Sequence, residues 1–297
     1  MQYERLEQCP ICNKEDFKNF LVVTDNAISK ESFVIVQCEN CSFKFTNPRP
    51  DEASIGRYYA SEEYISHSNT SNGLTNKAYR VVRSITLRQK VNLINKFVPQ
   101  KGRLLDYGCG TGHFLAAAKQ NGWQVAGFEP SDVARQTAAE ITGISIEAND
   151  IGKFETESFN MITLWHVLEH IHTLNETVKK ILALLKPEGY FLIAVPNADS
   201  LDAQKYKENW AAYDVPRHLY HFNQSTMKRL LKKHKMELVE TLPMKFDAYY
   251  VSLLSEKYKN GGNPNYISSF LSGFKSNSHA GKTTNDYSSL IYVAKRK

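Results

Sequence analysis

Leu104-Leu-Asp106-Tyr-Gly108-Cys-Gly110-Thr-Gly112 (LLDYGCGTG) is the stretch from which the rest of the chain is read. It joins a short apolar run, Arg103 to Tyr107, to a helical stretch from Phe114 to Asn121, which is the context a nucleotide-cradling loop needs. Glycines there let the backbone turn tightly and admit a ligand where any Cβ would clash. Taken alone, Gly-x-Gly-x-Gly is also what an ordinary tight strand-to-helix turn requires.

Outward from the loop, short apolar runs alternate with helical stretches, as a parallel sheet with crossover helices requires. The runs are Gln124 to Glu129, Ile144 to Glu147, Phe159 to Leu164 and Tyr190 to Val195. The helical stretches are Asp132 to Ile141 and Asn175 to Leu185, the second stopped by Pro187 and Gly189. Beyond Pro196 the repeat weakens, with a helix over Gln224 to His234 and strands over Glu237 to Leu242 and Ser289 to Ala294. Glu129 ends the second run, where a carboxylate can accept from both ribose hydroxyls of a nucleoside. Asp150, with Ile151 beside it, follows the third run and suits an adenine amino group. Either acid alone also reads as a helix cap or a solvated loop end.

LLDYGCGTG, the strand end at Glu129, Asn149-Asp150 and Trp165-His-Val-Leu-Glu-His170 together resemble the class I S-adenosylmethionine-dependent methyltransferases, over about residues 80 to 240. The resemblance implies an α/β fold: a Rossmann-like, seven-stranded, mostly parallel sheet with an antiparallel last strand and helices on both faces. It also implies S-adenosylmethionine as cofactor. Asp106, Gly108, Gly110 and Gly112 would lie near its methionine end, Glu129 on the ribose, Asp150 and Ile151 at the adenine, and Trp165 and His166 along the cofactor or the acceptor. A dinucleotide oxidoreductase is the competing reading. Its Gly-x-Gly-x-x-Gly fingerprint places a pyrophosphate on a helix N-terminus, where a carboxylate such as Asp106 would repel it. The same carboxylate suits a ligand with an ammonium group.

Cys9-Pro-Ile-Cys12 and Cys38-Glu-Asn-Cys41 form two knuckles able to meet at one tetrahedral Zn²⁺. Four thiolates leave no open position for water, so the ion would be structural, and metal binding lets a module with little core fold. Free buried cysteines are the alternative. This head resembles the zinc-binding head of some methyltransferases of sugars and other small metabolites, and less closely that of certain ribosomal RNA methyltransferases. The organisation expected is a zinc ribbon over residues 1–50, a helical linker and lid over 51–98, and the methyltransferase domain over 99–297. The linker carries Tyr58, Tyr59, Tyr64 and Tyr79 and a helix from about Ala78 to Phe97. Asn260 to Asp286 is rich in Gly, Asn and Ser and reads as a mobile insertion, near 255–286.

Residues able to orient or deprotonate an acceptor crowd Tyr213-Asp-Val-Pro-Arg217-His218-Leu-Tyr220-His221-Phe222. In sugar C-methyltransferases of similar layout a histidine and a tyrosine from this region serve the acid–base steps, and the resemblance puts that role on His218, His221 and Tyr220. A structural role inside the domain is the alternative for either histidine. His166-Val-Leu-Glu169-His170 resembles the metal-binding Glu-x-x-Glu-His of some O-methyltransferases but departs from it in its first ligand.

With 297 residues and 42% hydrophobic content the chain can bury one large core and still carry a small module. A net charge of +6 is modest, and the cluster Arg229, Lys232, Lys233 and Lys235 reads as a solvated helix face. A small-molecule acceptor is therefore expected, with a sugar or other cell-surface precursor as the candidate. The alternative is a zinc-ribbon RNA methyltransferase or RNA-binding protein. No run approaches the roughly 20 apolar residues of a membrane span, and MQYERLEQCP lacks an apolar signal core, so a cytoplasmic protein is expected.

Overall fold

The alternation that begins at Gly102 folds as a sheet. The computed structural model describes residues 2–59 and 74–297, with side chains of the first helix described from Val82 onward. Its strands are β1 (Tyr3–Glu4), β2 (Phe17–Thr24), β3 (Ser32–Cys38), β4 (Lys44–Thr46), β5 (Arg49–Pro50), β6 (Arg103–Tyr107), β7 (Gln124–Phe128), β8 (Phe159–Trp165), β9 (Leu185–Pro196), β10 (Tyr220–His221), β11 (Met236–Pro243) and β12 (Ser289–Arg296). Its α-helices are α1 (Leu74–Phe97), α2 (His113–Gln120), α3 (Asp132–Thr142), α4 (Leu174–Ala183), α5 (Leu201–Tyr206), α6 (Gln224–Lys233), α7 (Asp247–Lys259) and α8 (Tyr266–His279). Two compact units result: Met1–Ser61, Leu168–Asn175 and Ala194–Tyr292 in one, Glu62–Val167, Glu176–Ile193 and Val293–Lys297 in the other.

Six strands make the large sheet, in the order β11-β12-β9-β8-β6-β7. β6 lies between β7 and β8 and runs parallel to both. Its Leu104 and Leu105 are fully buried, as a central strand covered on both faces demands. The expected third strand, over 144–147, is cut to a single parallel bridge from Glu147 to Phe128. The Glu147 N–H donates to Gly127 O (2.9 Å) and the Glu129 N–H to Glu147 O (2.8 Å). The Glu147 carboxylate then accepts from the N–H groups of Ala148 and Asn149, turning the chain off the sheet edge. Six regular strands and one bridge therefore stand where seven strands were expected. Pro187 and Gly189, read as a helix stop, lie inside β9, because α4 ends earlier, at Ala183.

On α1, Val91 and Ile94 are buried, whereas Ile85 is exposed. Of the linker tyrosines, Tyr64 and the side chain of Tyr79 lie outside the described residues.

In the other unit, β2 and β3 form an antiparallel ladder with an irregularity between Asn19 and Leu21, and β4 continues it. The fourth member is distant in sequence: β10 pairs antiparallel with β4, Tyr220 opposite Phe45 and His221 opposite Lys44. The segment expected to serve the acceptor is thus a strand of the N-terminal module's sheet. Phe43 stacks on Phe45 and on Tyr220, with ring centroids 6.0 and 5.9 Å apart, in an aromatic core.

The stretch read as a mobile insertion is largely helical. α7 and α8 pack on each other through small residues, with Ser269, Ser272, Gly273 and Ser276 all buried. A Cβ on Gly273 would meet the Tyr249 Cα at 2.9 Å and Ala248 O at 3.0 Å, so glycine permits the close approach. Asn265 caps α8 by accepting from the Ser268 N–H (3.0 Å). Gly, Asn and Ser look like loop composition, yet here they are a cap and a helix–helix contact.

Candidate functional site

The glycine loop leaves β6 with its backbone tied to the next strand: the N–H groups of Gly108 and Cys109 both donate to Phe128 O, at 2.7 and 3.0 Å. Gly108, Gly110 and Gly112 have φ of +76°, +52° and +77°, the left-handed region where glycine has no Cβ penalty. Two of them also permit contact. A Cβ on Gly108 would strike the Val167 side chain at 2.5 Å, and one on Gly112 the Ala138 Cα at 2.9 Å, where α3 packs against the start of α2. Gly110 differs, since no described atom lies within 4 Å of its Cβ position. That open side is where a ligand has room.

Asp106 is 2% exposed, and the Thr163 hydroxyl donates to its Oδ1 at 2.7 Å. Burial pushes this carboxyl up to about 7, opposed by the Thr163 hydrogen bond and the charge of Lys90 and reinforced by the charge of Glu129. Glu129 sits just past β7, also buried; its Oε2 accepts from the Gly110 N–H (2.8 Å) and its Oε1 from the Ser131 N–H (2.9 Å). Two acids from adjacent strand ends thus act on one loop. Asp150 is exposed and accepts from the Gly152 N–H at 2.7 Å, capping a short 3₁₀ turn whose Ile151 is buried. Trp165 packs edge-on to Phe114, centroids 5.4 Å apart, under the Lys90 ammonium 4.1 Å from its ring. His166 has φ of +56°, uncommon for a residue with a Cβ. Lys90 and Thr163, which set the charge around Asp106, escaped the sequence reading; neither belongs to a local motif.

The four paired cysteines converge. Their sulfurs lie within 4.8 Å of one another, with Cys9–Cys41 and Cys12–Cys38 Sγ separations of 3.5 Å. Tetrahedral Zn–S bonds of about 2.3 Å place sulfurs about 3.8 Å apart, so the set fits such an ion with little movement. None is in a disulfide. Burial pushes the Cys9 and Cys41 thiols up, and backbone N–H groups of Ile11 and Cys12 at Cys9 and of Phe43 at Cys41 oppose it in part, donors that a bound cation would reinforce in favouring thiolate.

In the Tyr213–Phe222 segment one residue is an anchor. Arg217 is 1% exposed, pairs with Asp25 (2.9 Å) and Asp214 (2.6 Å), and donates to Tyr58 O (2.9 Å). His218 contacts Ala212 O through Nδ1 at 2.8 Å, and its Nε2 lies 3.9 Å from the Asp214 carboxylate. A carbonyl only accepts, so Nδ1 carries the proton and Nε2 of neutral His218 is a bare base. His170 Nδ1 meets Arg217 O at 3.0 Å and takes the same tautomer. Burial and the neighbouring His218 hold its pKa down to about 4. His221 differs. Thr46 gives its hydroxyl proton to His218 O (2.9 Å), so His221 Nε2 must donate to that hydroxyl (3.2 Å), and burial keeps the ring neutral. The Tyr220 hydroxyl donates to His172 O (2.9 Å) and its ring lies in the aromatic core, a structural placement. Among the described residues the ligand atoms of Glu169, His170 and His218, and not a set including His166, lie within 4.8 Å of one another. Glu169 and His170 occupy a separate 3₁₀ turn, and the third member comes from a segment remote in sequence.

A parallel sheet whose central strand runs into a glycine loop, with an acid ahead of the glycines and another at the next strand end, defines the class I methyltransferase architecture. Residues 81–241, more than half of the chain, match the family described as "Methyltransferase domain", and the chain belongs to that family. It is similar to a putative methyltransferase, YqeM, of Bacillus subtilis (strain 168), 30% identical over 112 residues that make up 34% of this chain and 45% of that protein. A ubiquinone biosynthesis O-methyltransferase of Actinobacillus pleuropneumoniae serotype 7 (strain AP76) is 33% identical over 108 residues, 32% of this chain and 46% of the relative. The chain thus spans a little under half the length of these relatives. Among solved structures, magnesium protoporphyrin IX methyltransferase from Synechocystis PCC 6803, with bound S-adenosylhomocysteine, superposes with a TM-score of 0.54 at 14% identity, over 83% of this chain and all (100%) of that one. The 1,6-didemethyltoxoflavin N1-methyltransferase of Burkholderia thailandensis gives 0.53 at 14% identity, over 94% and 100%. At that identity the likeness is one of fold. Among the described residues no helix is long and apolar enough to cross a membrane.

Proposed function

We propose that the chain transfers a methyl group from S-adenosylmethionine to a small-molecule acceptor. The observation that carries this reading is the loop at Gly110, open on its ligand side and held by Glu129, with Asp106 beneath it. The cofactor supplies a sulfonium methyl that a nucleophile displaces in line. Each Glu129 oxygen accepts one backbone N–H and keeps lone-pair capacity, which suits the two ribose hydroxyls. Asp106, once ionised, complements an ammonium group. Asp150 and Ile151 are assigned to the adenine, and Trp165 and His166 to the border of the cofactor.

For an acceptor that must lose a proton, the base assigned is His218. Its Nδ1 bond to Ala212 O aims a bare Nε2, and the Asp214 carboxylate, fixed by Arg217, stabilises the imidazolium that forms. His221 is disfavoured for that step because its burial opposes the charge that proton uptake creates. Tyr220 supports the strand. Cys9, Cys12, Cys38 and Cys41 are assigned to a structural Zn²⁺. The acceptor class is a sugar or another cell-surface precursor, supported by the form of the zinc head; the similar relative named for ubiquinone biosynthesis also points to a small molecule.

Isothermal titration with S-adenosylmethionine tests the donor: micromolar binding is expected, and none to folded protein overturns the reading. A panel of nucleotide-linked sugars assayed with methyl-labelled donor then tests the acceptor.

A further inference from the structure

α8 is amphipathic in the reverse of the usual sense. Its small residues Ser269, Ser272, Gly273 and Ser276 face the protein and are buried. Its large apolar residues Tyr266, Ile267, Phe270, Leu271 and Phe274 recur at i, i+1, i+4, i+5 and i+8 along the other face. Their exposure runs from 49% for Leu271 to 75% for Ile267. A helix on a water-facing surface ordinarily shows its polar side, and a contiguous exposed apolar patch marks an interaction site.

Charge decides what covers it. Between Lys257 and Thr284 the sequence holds no Asp or Glu, but it holds Lys257, Lys259, Lys275 and Lys282. Lys205 and Lys275 line an open groove of about 370 Å³ together with Ile267 and Leu271, so ammonium groups and apolar side chains border the same space. Lys259 and Lys275 are each close enough to act electrostatically on Lys205. The nearby Glu256 is buried, accepts from Tyr206 and Ser268, and pairs with Lys205 at 3.8 Å, which leaves Lys259 and Lys275 as exposed cations without a carboxylate from this stretch. A second copy of the chain is a poor occupant, since a two-fold contact would bring these lysines together with no carboxylate from this stretch to pair them.

We propose that this face of α8 docks on the anionic surface of a phospholipid bilayer, with the apolar residues entering the headgroup region and the lysines meeting lipid phosphates. Such interfacial helices combine an apolar face with lysines, and binding scales with apolar area and with attraction to anionic lipid. The inference does not depend on the methyl-transfer reading.

The test is sedimentation of the full chain with vesicles of phosphatidylcholine alone or with phosphatidylglycerol added. Binding is expected only where phosphatidylglycerol is present, and it should weaken as salt rises. The double variant Ile267→Ser/Phe274→Ser should bind roughly tenfold more weakly, and Lys259→Gln/Lys275→Gln should lose about fivefold per lysine. Both variants alter exposed or part-exposed groups, and thermal melting is expected to match the parent chain. No sedimentation with phosphatidylglycerol vesicles, equal binding to phosphatidylcholine, or binding unchanged in both variants overturns the proposal. So does a concentration-dependent dimer in sedimentation velocity that Phe274→Ser dissociates, because the face would then belong to a second copy.

Discussion

The Glu129 carboxylate accepts a hydrogen bond from the Gly110 backbone N–H at 2.8 Å, so the acid at one strand end holds the loop that leaves its neighbour. That bond gives Glu129 two duties, loop geometry and the ribose contact assigned to it. Glu129→Ala is therefore expected to weaken S-adenosylmethionine binding by about 30-fold or more, roughly 2 kcal/mol from lost charge-assisted hydrogen bonds, and to lower the melting temperature as well. Glu129→Gln, which keeps one acceptor oxygen, should fall between. Calorimetric titration and thermal melts separate the duties: lost stability with unchanged affinity would confine Glu129 to the loop.

Asp106 makes binding depend on pH. Its buried carboxyl is pushed up to about 7 and so is partly protonated at neutral pH. An ammonium ligand needs the ionised form, so affinity should rise as pH goes from 6 to 8 and level off above, by up to about tenfold per pH unit below the pKa. The stability sign is opposite. The folded state holds this proton more tightly than the unfolded chain, so the contribution of Asp106 to stability falls between about pH 4 and pH 7. Asp106→Asn should flatten both profiles. Titrations at several pH values check this, and a flat wild-type affinity profile would remove the assigned contact.

Legibility in the sequence followed locality. The glycine loop, Glu129 and the Cys-x-x-Cys pairs could be read because strand, turn and knuckle chemistry is fixed by residues within a few positions of one another. The pairing of β10 with β4 could not, since two short strands about 175 residues apart carry no shared pattern. The grouping of His218 with Glu169 and His170 was hidden for the same reason, as was Thr163 beneath Asp106. Composition misled at α8. Serine and glycine favour loops by local propensity, but as small residues at helical spacing they permit close packing of two helices.

His218 and His221 are neighbours in sequence with opposite tautomers, which turns their roles into a measurable difference. For an acceptor that requires proton removal, His218→Ala should lower kcat by about a hundredfold or more, the usual contribution of a general base. Asp214→Asn should cost less, since His218 keeps its Ala212 bond and loses only the charge that stabilises its imidazolium. Single-turnover rates on an acceptor from the sugar panel test this. A His218→Ala enzyme as fast as the parent would reassign the base.

The cysteine cluster predicts a metal content. Elemental analysis of purified protein should find one zinc per chain, and Cys12→Ser or a strong chelator should remove it. Loss should lower stability steeply, because zinc-ligand free energies of on the order of 10 kcal/mol are folding free energy in small modules. The β10 strand pairs with β4 of the same sheet, so unfolding of the ribbon should also raise hydrogen exchange at Tyr220 and His221. Zinc absent from folded, fully reduced protein would leave the four thiols as packed cysteines.

Arg217 offers the strongest stability test, because its guanidinium is buried between Asp25 and Asp214. Arg217→Met removes one partner and leaves both carboxylates behind, an arrangement that typically costs about 3–5 kcal/mol. Asp25 is partly protected, since it also accepts from the N–H groups of Ala27, Ile28 and Ser29. Burial raises both carboxyls; Arg217, with Ser29 at Asp25 and with His218 and His170 at Asp214, more than offsets it and leaves both below the usual carboxylate range in the folded chain. Their contribution is therefore present above about pH 4 and lost as pH falls through the lowered folded values. Without Arg217 the burial effect at Asp214 is opposed by the neighbouring His218 and His170 alone, so the variant's deficit should be largest near pH 7 and shrink toward pH 4. Denaturant unfolding at both pH values measures it. Arg217→Met combined with Asp214→Asn should recover part of the loss, since the second change removes a stranded charge. A deficit independent of pH and unrelieved by the second change would mean that Arg217 acts through packing alone.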